Sequence, residues 1–264
     1  MVRCTMSLDT KYTALSRLVR SVLGLDLETL ASRAPAVGYE HFDLERLLAH
    51  VRSSPLALDD KIFGPFSRQV RGYLATIEAY VALGIIKDQA AFVTKKLAAP
   101  KVALPMPHST EMLDTLAECC WALWLHDRYG NLEAEKMFPC GGGDADFFVS
   151  SDGDLWVDCI SVAPAGDRSR MSEYLANTVR SKWRAKFGAR RGAAALPAAI
   201  AVLLLKQQEH TIPALIRDEI TGISYSPPAS LWTDCPGLHA AWFGTPPWYD
   251  APHRPDVFAT WRRP

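Results

Sequence analysis

Apolar positions over the first hundred residues recur with the period of a helix. Tyr12, Leu15, Leu18, Val19 and Val22 make one stripe, and 41–50 repeats the spacing. Over 66–83, Val70, Tyr73, Leu74, Ile77, Tyr80 and Val81 share one side of a long helix. Three prolines within 98–108 break the pattern with an irregular connector. Ser109 or Thr110 then offers an N-cap, Glu111 and Asp114 occupy the first turn, and the next helix runs to Tyr129. Beyond Gly130 the period changes. Segments 132–138, 144–149 and 155–162 read as strands, the last two joined by a hairpin turn at Ser151, Asp152, Gly153 and Asp154. A helix over 169–187 follows. The unbroken apolar run 196–205 reads as a strand buried on both faces. A short helix over 212–220, a strand over 239–243 and an otherwise irregular wrap complete the chain.

This order predicts an α/β protein, a small mixed β-sheet flanked by helices and preceded by an all-helical N-terminal region. The expected division is 1–105 for the helical region, 106–222 for the core and 223–264 for an irregular C-terminal extension. With 264 residues, 48% of them apolar, the chain can bury a large core. Lys and Arg number 29, as do Asp and Glu, so the basic excess common among nucleic-acid binders is absent overall. It is present locally: Arg168, Arg170, Arg180, Lys182, Arg184, Lys186, Arg190 and Arg191 fall within 168–191. That segment reads either as a contact for DNA or RNA phosphates or as a solvated helix whose basic end suits its dipole.

Other chemistries find little footing. The six cysteines include no CxxC pair, which favours buried free thiols over zinc or disulfides. There is no glycine-rich phosphate loop, no serine elbow and no HxxxH spacing. Trp242, Trp248, Tyr249 and Trp261 could stack on bases, though packing is the simpler reading. No secretory leader is evident, and the longest apolar run is about half a membrane helix. A soluble, cytoplasmic protein without a membrane partner is expected, and the sequence leaves its oligomeric state open.

Three acids stand out against the predicted strands. Asp144 and Asp146 open the first hairpin strand, and Asp158 lies inside the second, between Val157 and Cys159. A carboxylate within an apolar strand is costly unless something pairs with it. Alternation puts Trp156, Asp158 and Ile160 on one face, and a hairpin partner can bring Asp146 alongside. Two such carboxylates can seat a hard divalent cation such as Mg²⁺. Asp144 reads as a turn residue rather than a ligand.

The run Gly142, Gly143, Asp144, Asp146, Phe147, followed by Trp156, Val157, Asp158 and Ile160, resembles the PD-(D/E)xK nuclease superfamily. The likeness spans roughly 109–205 and implies a restriction-endonuclease-like core. It implies Asp146 and Asp158 as ligands of Mg²⁺ or Mn²⁺, with Glu118 assisting. The chain departs from that pattern in one serious way: Ile160 stands where the motif lysine belongs. That lysine would orient the attacking water and stabilise developing charge. On the following helix Lys182 and Lys186 fall on the apolar stripe of Met171, Leu175, Thr178, Val179 and Trp183. Either Lys182 is a migrated catalytic lysine, or these side chains snorkel from the stripe's edge. Lys136 is a further candidate. A helical wheel sets Glu118 nearer Glu111 and Asp114 than the apolar stripe, so a solvated face competes with its metal role. The leading expectation is a divalent-metal-dependent nuclease. The rivals are an inactive nuclease fold that binds nucleic acid or protein, and a purely structural module.

Overall fold

A computed structural model describes residues 6–34, 43–53, 64–97, 110–150, 153–162, 171–190, 192–204, 226–245 and 254–264. The chain divides into two compact units, one of 1–123 with 247–254 and one of 124–246 with 255–264. No helix among the described residues is long and apolar enough to cross a membrane.

The first unit is helical. Its elements are α1 (Leu8–Lys11), α2 (Thr13–Leu23), α3 (Leu27–Ser32), α4 (Leu44–Ser53), α5 (Gly64–Ala82) and α6 (Gln89–Ala91), the last continuing as a π-helical turn over Phe92–Leu97. Helix α7 (Thr110–Tyr129) begins in this unit, and its residues from Trp124 onward belong to the second. The stripes expected from periodicity are the buried ones: Leu15, Leu18 and Val19 of α2, then Val70, Tyr73, Leu74, Ile77 and Tyr80 of α5. Asp26 and Asp88 cap α3 and α6 through their side chains. Helix α2 has no side-chain cap of its own. Glu78 of α5 supplies one, its two oxygens accepting the N–H groups of Ala14 and Leu15 at 2.7 Å each.

Among the described residues the second unit is built on a six-stranded sheet: β1 (Leu132–Met137), β2 (Asp144–Val149), β3 (Leu155–Val162), β4 (Ala198–Leu204), β5 (Leu238–Thr245) and β6 (Asp256–Arg262), lying in that order. β1, β2 and β3 form an antiparallel meander. β4 is parallel to both β3 and β5, and β6 pairs antiparallel with β5. Helix α8 (Met171–Trp183) joins β3 to β4, the crossover that a parallel pair needs, and continues as a π-helical turn over Arg184–Gly188. A short helix, α9 (Ser230–Asp234), precedes β5.

β4 is buried along its whole length, as an apolar strand with parallel neighbours on both sides should be. One face of the sheet packs Trp156, Ile200, Val202, Phe243 and Trp261 against Leu175, Ala176, Val179, Trp183 and Phe187 of the α8 segment. On the other face Trp242 meets Trp124, ring centroids 5.2 Å apart.

The expectation of a mixed sheet flanked by helices holds at that level. The strand expected over 239–243 is found, as 238–245, but the expected irregular wrap is corrected at 256–262, which is a further strand of the same sheet. A strand is made by the edge it pairs with as much as by composition, and β5 and β6 find theirs in β4 and in each other. Several expectations lie outside the described residues: the N-cap at Ser109, the 98–108 connector, the start of the hairpin turn, the first residues of the 169–187 helix and the helix over 212–220.

Candidate active site

Asp158 is the centre of the site. β3 carries it on the same face as Trp156, and it is 0% exposed. β2 and β3 pair through Phe148–Trp156 and Phe147–Val157. Continued one step, that register sets Asp146 opposite Asp158 and on the same face. The side chain of Asp146 then accepts the backbone N–H of Cys159 at 2.7 Å, which holds its carboxylate across the strand gap. On its other side the register of β1 sets Asp146 opposite Glu135, whose φ is 49°. That left-handed conformation is uncommon for a residue with a side chain.

The same face receives the helix. Leu175 and Val179 lie on the side of α8 that packs onto the sheet, and Lys182 and Lys186 follow at i+7 and i+11 on that side. Lys182 Nζ is 3.0 Å from Asp158 Oδ2. Lys186 Nζ is 3.1 Å from Asp158 Oδ1, 3.5 Å from Asp146 and 3.6 Å from Asp144. The two lysines therefore differ. Lys182 flanks one carboxylate, whereas Lys186 sits among three.

Burial pushes the Asp158 carboxyl up to about 6, and the neighbouring Asp146 adds to the rise; the two ammonium groups pull it back only in part. Burial also works against the charged forms of Lys182 and Lys186. The surrounding carboxylates more than offset it, so both lysines titrate above their ordinary value. At neutral pH they are donors of charge and hydrogen bonds, not bases. The two ammonium groups stand one against each oxygen of Asp158, within hydrogen-bond reach, and compensate its charge between them. With Asp158 ionised, three carboxylates face two ammonium groups among the described residues.

Of the residues singled out from sequence, Asp146, Asp158 and Lys182 come together. Asp144, first read as a turn residue, joins them at the rim, and Lys186, on the same stripe as Lys182, occupies the middle. Glu118 lies on α7 in the first unit and pairs with Lys96 at 2.7 Å. Lys136 pairs with Glu133 at 2.8 Å and lies 5.1 Å from the Phe148 ring centroid. Among the described members of the basic segment, Arg184 is exposed and the other four have partners within the fold. Lys182 and Lys186 face the acids, Arg180 pairs with Asp234 at 2.8 Å, and Arg190 lies over Phe138. Arg168, Arg170 and Arg191 lie outside the described residues. Cys119, Cys120, Cys159 and Cys235 are buried free thiols and Cys140 is an exposed one.

A divalent cation fits the chemistry of this donor set in part. The Lys186 ammonium shows that a cation is held among Asp144, Asp146 and Asp158, and hard oxygen ligands suit Mg²⁺ or Mn²⁺. Among the described residues, however, no three His, Cys, Asp or Glu side chains form a ready cage. Water would have to complete the coordination, as it commonly does for Mg²⁺. Comparison with protein-family models, with curated proteins and with solved structures finds no match.

Proposed function

We propose that this cluster is the active centre of a divalent-metal-dependent phosphodiesterase acting on DNA or RNA, on a restriction-endonuclease-like core. The observation that carries the reading is the Lys182 ammonium 3.0 Å from the fully buried carboxylate of Asp158. A positive head group is thereby supplied from α8 beside the carboxylate whose strand carries Ile160 in the lysine's place. The meander of β1 to β3, the crossover helix and the parallel β4 agree with the order of elements in the PD-(D/E)xK pattern.

In this reading Asp146 and Asp158 would hold Mg²⁺ or Mn²⁺, whose chemistry would be to polarise the phosphate and acidify a bound water. The Cys159 N–H fixes the Asp146 carboxylate. Lys182 stays protonated, so it orients the attacking water and stabilises charge developing on the phosphate rather than removing a proton. Glu118, paired with Lys96, is not needed.

A second reading has its own observation. The two lysines neutralise most of the acidic charge without any metal, as an inactive fold retained for binding nucleic acid or protein could. The two separate in a nuclease assay with Mg²⁺ or Mn²⁺ on single- and double-stranded DNA and RNA. The enzyme reading expects wild-type cleavage that falls by about 100-fold or more in both Asp158→Ala and Lys182→Met. Cleavage untouched by Asp158→Ala, or none by wild type on any substrate, would overturn it.

A further inference from the structure

Lys186 has no part in the scheme above, yet it is the most central group in the cluster. Its ammonium reaches Asp158, Asp146 and Asp144 at 3.1, 3.5 and 3.6 Å. A divalent ion bridging Asp146 and Asp158 must occupy the space between those carboxylates. Mg²⁺ binds oxygen at about 2.0–2.1 Å, far inside the distances at which Lys186 now sits, so ion and ammonium cannot share the seat. We propose that Lys186 is a tethered counter-ion occupying the divalent-cation seat, and that a metal binds only by displacing it. This rests on the metal-site reading of Asp146 and Asp158.

The rest of the geometry suits a displaceable group. Asp158 is wholly buried, so without the ammonium groups beside it its charge would stand almost uncompensated. Lys182 alone covers one of the two oxygens. Lys186 covers the other and reaches out to the rim acid Asp144, which is half exposed and marks the way to solvent. Its own side chain is 21% exposed, so the head group can leave along that route without disturbing the buried stem. Lys186 also stands on the π-helical turn, and such turns recur at functional positions in helices. Removing it leaves three carboxylates facing one ammonium, a seat with stronger attraction for a doubly charged ion.

The test is Mn²⁺ binding by calorimetry to the full chain, wild type against Lys186→Met, which keeps most of the stem and removes the charge. The expected result is at least tenfold tighter binding in the variant. Binding by the variant alone would overturn the displacement, since the lysine would then hold the seat permanently in the wild type. Equal or weaker binding in the variant, with wild-type binding intact, overturns the proposal and leaves the metal site standing. Failure of both proteins to bind overturns both. Should the variant not fold, amine labelling of the wild type read by mass spectrometry decides. Lys186 modification should rise when Mg²⁺ is added while Lys182 stays protected, and an unchanged Lys186 would overturn the displacement.

Discussion

The ion pair between Lys182 and Asp158 makes the sharpest energetic prediction. Lys182→Met removes the ammonium and keeps an unbranched stem on the α8 stripe. At 3.0 Å and an effective dielectric constant of about 20, two unit charges attract by roughly 5 kcal/mol before desolvation is counted. Removing one partner of a buried pair ordinarily costs about 3–5 kcal/mol, because the other charge is left uncompensated. Here Lys186 remains 3.1 Å from the other oxygen, so the loss should fall to about 2–3 kcal/mol. In an Asp158→Asn background no buried carboxylate remains at that position, and Lys182→Met should then cost less than about 1 kcal/mol. The difference, a coupling of about 2 kcal/mol, is what a double-mutant cycle measures.

Urea denaturation of wild type, both single variants and the double variant, in EDTA at pH 7.5, supplies the four free energies. EDTA keeps stray metal from competing with the lysines. A coupling below about 0.5 kcal/mol, the usual scatter of additive pairs, would mean that the two groups do not feel each other. The lysine would then be a solvated stripe-edge residue, and the catalytic reading of Lys182 would lose its support.

Two further predictions concern residues outside this cluster. His50 is buried against Ser67, and burial, with Arg71 nearby, lowers its pKa below 6.5. Its folded state resists protonation, so the stability it contributes is full above pH 6.5 and lost as pH falls. The urea midpoint should drop between pH 7.5 and 5.5 by less in His50→Gln than in wild type, and equal drops would refute this. Glu118 is engaged by Lys96, so Glu118→Gln should leave Mn²⁺ affinity unchanged, whereas a marked loss would return it to the metal site.

Much of the second unit was legible because its elements obey simple periods. The meander, the helix and the wholly apolar β4 each follow from local pattern, and the spacing of Asp146 and Asp158 suits a hairpin. What escaped depended on partners distant in the chain. The run 256–262 becomes a strand only beside β5, and Glu78 caps a helix more than sixty residues away. The inward turn of Lys182 and Lys186 was half visible. A helical wheel separates Lys182 and Lys186 from Arg180 and Arg184, but a wheel cannot say what lies opposite. It could not show that Arg180 meets Asp234, or that Asp144 reaches far enough to touch Lys186.

Two anomalies in the sequence were separately costly. An aspartate sits in the middle of an apolar strand, and lysines sit on the apolar stripe of a helix. Each alone would count against its element, since burying an unpaired charge disfavours the fold by several kcal/mol. They cancel only if the helix crosses the face that carries the aspartate, and α8 does cross it. The cancellation is incomplete, since three carboxylates meet two ammonium groups and burial still raises Asp158 toward 6. An interior selected for stability alone would do better with apolar residues of similar volume in place of all five. A residual negative charge kept in a buried, half-open cluster is the arrangement expected of a site that takes up a cation. Neutralising Asp158 should therefore weaken divalent binding far more than it weakens the fold.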